Sequence, residues 1–177
     1  TPAQLQEMAN DLDGDYKLGN NIDMSGFTWS CVGSLSTPFT GKLDGDGYII
    51  SNLNIVSSGN SNYFIYSSGL TLINTGFEDL DISSTSSNEY MSFIIDSHAP
   101  IINQIYIDGV ASGVKGVQFI AGSGTISNSY FDVHISKTGS SSSSTYFIST
   151  NGINTDTTVS NIYSLGDFTT PQTGNVG

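Results

Sequence analysis

Short apolar runs rich in Ile, Val, Phe and Tyr recur along the chain, and breaks of Gly, Ser, Asn and Asp separate them. This is the pattern of short strands joined by turns. The N-terminal stretch TPAQLQEMAN is the exception. Thr1 is a good N-cap, Pro2 suits the first helical position, and Gln4 can close a capping box. Leu5 and Met8 then share one face, so a short helix covering something apolar is expected there.

The strand-like region is internally repetitive. An element with an aliphatic residue two before an asparagine recurs as IISNLNI, LINTGF, IINQIY, ISNSYF and VSNIYS, at Asn52, Asn74, Asn103, Asn128 and Asn161. The asparagines are spaced by 22, 29, 25 and 33 residues. A second element, Phe-Ile, falls between them at Phe64, Phe93, Phe119 and Phe147, spaced by 29, 26 and 28. The two elements alternate strictly. A unit of this length with no helical period predicts an all-β parallel solenoid, a β-helix of about five coils. Stacked coils would place Phe-Ile columns inside and an asparagine ladder along one corner. A β-sandwich also suits short strands with regular turns, but it does not account for the alternation. The division that follows is residues 1–47 as an N-terminal cap with its helix, 48–170 as repeats, and 171–177 as a tail or linker. The serine-rich stretch 136–145 reads as a loop insert.

Composition narrows the partners. The chain has 177 residues, 11% of them charged, and a net charge of -12. Its four basic residues are Lys17, Lys42, Lys115 and Lys137, and arginine is absent. Nucleic acid and anionic lipid surfaces are poor partners for such a chain, and polyanionic sugars would meet little to neutralise them. No apolar run reaches the length of a membrane span, so no membrane insertion is expected. The lone Cys31 excludes an internal disulfide and a multi-cysteine metal site, and it reads as a small buried hydrophobe. The chain opens on Thr1, which suits a processed product or an excised domain.

The stretch VQFIAGSGTISNSYFDVHISKTG, with TVSNIYSLGDF and PIINQIYIDGVASG as looser copies, resembles the GLUG repeat of bacterial surface adhesins and secreted proteases. Gln118 and Phe119 stand where that repeat has paired glycines. The segments GDYKLGNNIDMSG, FTWSCVG and PFTGKLDGDGYIISNLNI resemble the capping module that precedes such repeats, with Cys31 where a proline is common. The resemblance implies a right-handed β-helix with an N-terminal cap in a secreted or surface-attached protein, and it does not imply catalysis.

Candidate chemistry is sparse. Asp11, Asp13 and Asp15 begin like a calcium loop, but Ile22 stands where the closing glutamate belongs, so turn geometry is the expected role. Asp44 and Asp46 read the same way. Glu78, Asp79, Asp81, Asp108, Asp132 and Asp167 follow the asparagine element at varying offsets, which suggests a solvated acidic edge rather than a cation ladder. Two carboxylates could serve a glycosidase, but a lyase would need a well-placed base. His98 and His134 lie far apart in the chain. No enzyme activity, cofactor, metal ligand or catalytic residue is assigned. The aromatic residues are read as core, while a sugar-binding module would instead gather exposed aromatics in one groove. None of the 15 asparagines forms a glycosylation sequon, although O-linked modification of 136–145 and of the TTPQTG tail is compatible with their composition.

The expected role is an extracellular or cell-surface structural module of adhesin type. Its partners would be other copies or neighbouring domains, which would cover the last coil head to tail. Carbohydrate binding with glycans as partners, or a glycosidase-type β-helix enzyme, is the alternative.

Overall fold

The computed structural model describes residues 1–58, 62–122, 124–139, 145–149, 158–166 and 168–169. The tail 171–177 and residues 140–144 of the serine-rich insert fall outside these.

A short α-helix, Pro2–Gln6, continues as a 3-10 turn, Glu7–Asn10. The Thr1 hydroxyl accepts the Gln4 N–H, and the Gln4 side chain accepts from the Thr1 amine at 3.1 Å, closing the capping box. Leu5 and Met8 are buried in the same apolar cluster as Leu18, Ile22 and Leu43.

Beyond the helix the chain winds as a spiral. One turn runs through Thr71–Ile73, a corner at Asn74, the long bent strand Gly76–Ser84, and Ile94–Asp96 after a loop. Each segment pairs in parallel with its counterpart one turn away. Among the described residues, twelve strands make one sheet that wraps around the corners, and four make a second. The second sheet consists of Ile65–Ser67, Ile94–Asp96, Gln118–Ala121 and Tyr146–Ser149. The result is a β-solenoid of about 4 turns with one short N-terminal helix. Asp15–Lys17 and Lys42–Asp44, within the expected cap, already pair in the large sheet.

Parallel register turns sequence repeats into columns. Leu43, Leu72, Ile102 and Ile126 stack along one inner face, and Ile22, Ile50, Phe77, Ile107 and Phe131 along the next. Burial of each such side chain contributes about 1.5–3 kcal/mol. The Phe-Ile element forms the remaining face. Phe64 stacks on Phe93 at 5.1 Å and Phe93 on Phe119 at 5.3 Å, while Ile65, Ile94 and Ile120 follow in register. Trp29 stacks on Phe64 at 5.2 Å and donates its indole N–H to the carbonyls of Tyr63 and Phe64. The tryptophan of FTWSCVG therefore completes the phenylalanine column. No helix of the described residues is long and apolar enough to cross a membrane.

Candidate functional site

The corner that contains Asn128 explains its place in the strand. Asn74, Gln104, Asn128 and Asn161 all have φ between 49° and 53°, the left-handed conformation that turns the strand sharply. Asparagine tolerates that conformation better than most residues, for which it costs about 1–2 kcal/mol. Pairing of Asn103 with Ile73 and Ser127 puts the following residue, Gln104, in line with Asn74 and Asn128. Asn103 is thus one residue before the corner, and its buried Oδ1 has no hydrogen-bond partner among the described residues. Asn52 occupies a second corner, aligned with Asp79, and both have positive φ. The five repeated asparagines are therefore three members of one ladder, a neighbour of its fourth member, and one member of another.

The ladder amides are linked to one another and to carboxylates. Asn161 Nδ2 donates to Asn128 Oδ1 at 2.9 Å, Asn74 Nδ2 to Asp44 Oδ1 at 3.1 Å, and Asn52 Nδ2 to Asp23 Oδ1 at 2.9 Å. Asp44 also accepts the Asp46 N–H and pairs with Lys42. The Asp46 N–H, the Asn74 amide and the Lys42 ammonium together hold its carboxyl at about 2. Ser25, followed by Asn52, likewise lowers Asp23. These carboxylates act as turn and ladder acceptors, the role turn geometry gave Asp44 and Asp46.

Two residues after the corner, the side chains turn outward again. There Tyr106, Tyr130 and Tyr163 form a column, with rings stacked at 5.4 and 5.5 Å. Tyr106 is 37% exposed and Tyr163 60%. The phenylalanines fill the interior, whereas these tyrosines stand outside it. Partial burial, then the charges of Asp108 and Glu78, push the Tyr106 phenol above its ordinary range; burial and Asp132 do the same for Tyr130. Both stay protonated at neutral pH and can donate hydrogen bonds.

Between the amide and tyrosine columns runs a groove of about 920 Å³. Its floor includes Thr75, Ile105 and Ser129, and its lower end is formed by Asp46, Ile49 and Gly76. A second column, with Asp108 and Asp132 directly opposite each other, lies beside the tyrosines. Among the described residues, no three His, Cys, Asp or Glu gather closely enough to hold a metal ion.

The remaining candidates do not converge on this groove. Asp11 and Asp13 share a hydrogen bond that raises the Asp11 carboxyl. Burial raises the Cys31 thiol, which keeps it protonated. Ser68 Oγ lies 2.9 Å from His98 Nδ1, but nearby Asp96 accepts the His98 backbone N–H rather than a ring proton. Asp96 is instead a buried turn anchor, also bonded by Ser67 Oγ and the N–H groups of Gly69 and Leu70. His134 is exposed on the long strand Thr125–Lys137.

The tyrosine column had a sequence signal. Each tyrosine lies two residues after its corner residue, in Gln104-Ile105-Tyr106, Asn128-Ser129-Tyr130 and Asn161-Ile162-Tyr163. Anchoring the third repeat on Asn103 hides this spacing.

No family model matches the chain, and no curated protein matches it. Among solved structures, it is similar to a "putative immunoglobulin A1 protease" from Bacteroides ovatus, with a TM-score of 0.73 and 20% identity. What they share is the fold. The likeness covers 94% of this chain and 56% of the other, so the chain spans little more than half of that protein's length.

Proposed function

We propose that the chain is an extracellular adhesin-type module, a non-catalytic solenoid that displays a recognition face. The observation that carries this reading is the outward stack of Tyr106, Tyr130 and Tyr163 beside the amide ladder. Three aromatic rings held in register outside the core form a rigid surface at low entropic cost, as recognition surfaces require. The resemblance to GLUG repeats agrees with this reading: Thr125-Ile126-Ser127 pairs in register with Thr158-Val159-Ser160, so the central stretch and one of its looser copies stack on each other.

Beads coated with the wild-type protein are expected to adhere to glycoprotein-coated surfaces above an albumin-coated control, and a variant with all three tyrosines replaced by alanine is expected to lose this adhesion. Wild-type beads that adhere to nothing would sink the adhesin reading. Equal adhesion by the variant would remove the tyrosine face from it. Cleavage of immunoglobulin A1, suggested by the neighbour's name, or of a neutral glycan by the same preparation would overturn the non-catalytic half.

One observation favours a second role, stacking by another copy or a neighbouring domain. Val159 is 49% exposed, while Ile126, one turn earlier in the same column, is 2% exposed. Light scattering across a concentration series is expected to show species larger than the monomer. A strictly monomeric protein at the highest concentration would count against stacking by copies and leave a neighbouring domain as the cover.

A further inference from the structure

Resting on the adhesin reading, we infer that the lower end of the groove is a binding slot for one ring of a neutral glycan. Tyr106 has one face against Tyr130. Its other face looks down the axis toward Gly76, the residue paired with it in the preceding turn. Gly76 is the missing rung of the aromatic column: it stands two residues after Asn74, where the later turns have tyrosine. One turn further down, Ile49 pairs with Gly76 and leans over it, with Cγ1 2.9 Å from where a Cβ on Gly76 would stand. Tyr106 and Ile49 are therefore two steps of about 4.8 Å apart, with no side chain rooted between them. A ring needs about 3.5–4.0 Å to the atoms it contacts, so a single sugar ring would lie against the free face of Tyr106 and rest on the Ile49 side chain that leans into the step.

The polar rim selects the occupant. A sugar ring offers an apolar face to an aromatic platform and hydroxyls at its edge, and pockets of this kind orient ligands with a few placed polar groups. The exposed Gln104 amide beside Tyr106 makes no side-chain hydrogen bond among the described residues, leaving a donor and an acceptor for hydroxyls. The Tyr106 phenol, kept protonated, adds a donor. Asp46 closes the end as a further acceptor and is half-exposed in its ion pair with Lys17. Glu78, Asp108 and Asp132 lie close enough to act electrostatically on Tyr106. This negative field disfavours sulfated, sialylated or uronate sugars and leaves neutral ones.

The test is titration of the purified chain with mannopentaose, cellopentaose and N-acetylchitopentaose, with a galacturonate pentamer as the anionic probe, read by calorimetry and by ligand-observed NMR. At least one neutral probe is expected to bind at millimolar or lower concentration. Tyr106→Ala and Gly76→Tyr, the second of which fills the slot by adding a rung, are each expected to weaken that binding by about tenfold or more, while Tyr106→Phe keeps most of it. Circular dichroism and melting of each variant separate loss of the slot from loss of the fold. Binding to none of the neutral probes, binding unchanged in both slot variants, or equally tight binding of the galacturonate pentamer would each overturn the proposal. Wild-type adhesion in the bead assay without binding of these sugars would sink the slot alone and leave the adhesin reading standing.

Discussion

Replacing Phe93 with alanine is expected to destabilise the protein by about 4 kcal/mol, the middle of the range for large aromatic residues in a core. Phe93 is fully buried, stacked between Phe64 and Phe119, and met edge-on by Phe77 at 5.0 Å. Its loss opens a cavity at the middle of the aromatic column and removes three ring contacts, each worth about 0.5–1.5 kcal/mol beyond burial. The two walls of that cavity are strands pinned by parallel pairing, so they cannot collapse to fill it. Phe93→Leu, which keeps apolar volume and gives up the ring contacts, should recover about half of the loss. Urea unfolding of the three proteins measures this directly. A loss under about 1 kcal/mol for the alanine variant would show that the column does not hold the turns together.

The second large effect is expected at Asp96. Its carboxylate is buried and receives the Ser67 hydroxyl at 2.7 Å, the Leu70 N–H at 2.9 Å and the His98 N–H at 2.7 Å, together with the Gly69 N–H. It joins one turn of the solenoid to the turn before it. Alanine leaves these donors inside the fold without an acceptor, and hydrogen bonds to a charged group contribute about 1.5–3 kcal/mol. The expected loss for Asp96→Ala is about 3 kcal/mol. Asp96→Asn should be nearly as damaging, because its amide group turns N–H toward donors already present. Ser67→Ala, which removes one of the donors, should cost only about 1 kcal/mol. Thermal or urea unfolding distinguishes these outcomes, and an alanine variant within about 0.5 kcal/mol of wild type would show that the turn does not depend on this carboxylate.

The repeat was legible because an inward position is filled by the same chemistry in every turn. Phe64, Phe93 and Phe119 keep their identity, so their spacing reports the spiral and predicts a column that the fold contains. Trp29 was not legible as a member of that column, since its stretch makes only isolated bridges, Val32 with Ile65 and Phe39 with Ser67, in place of a strand. Asparagine was a poorer guide because the left-handed conformation, not the residue type, is what repeats. Gln104 meets that need at one corner while Asn103 beside it does not, and Asn52 and Asp79 meet it at another. A single misplaced residue puts Tyr106 out of phase with Tyr130 and Tyr163, which hides the row of outward aromatics two residues past the bend. The use of Asp96 was illegible for a different reason. Its partners in the preceding turn lie 26 to 29 residues away and are mostly backbone groups, which leave no trace in sequence.

The outward tyrosines inherit their pitch from backbone pairing, not from their own contacts. Their separation is quantised: it follows the step of the parallel ladder, about 4.8 Å, and substitutions within a ring position cannot stretch or compress it. Lengthening the row means adding a whole turn of chain, whereas loops between strand segments can grow without shifting a single ring. The exterior face is in this sense a ruler with fixed graduations, in which Gly76 is the one mark left blank between Ile49 and Tyr106.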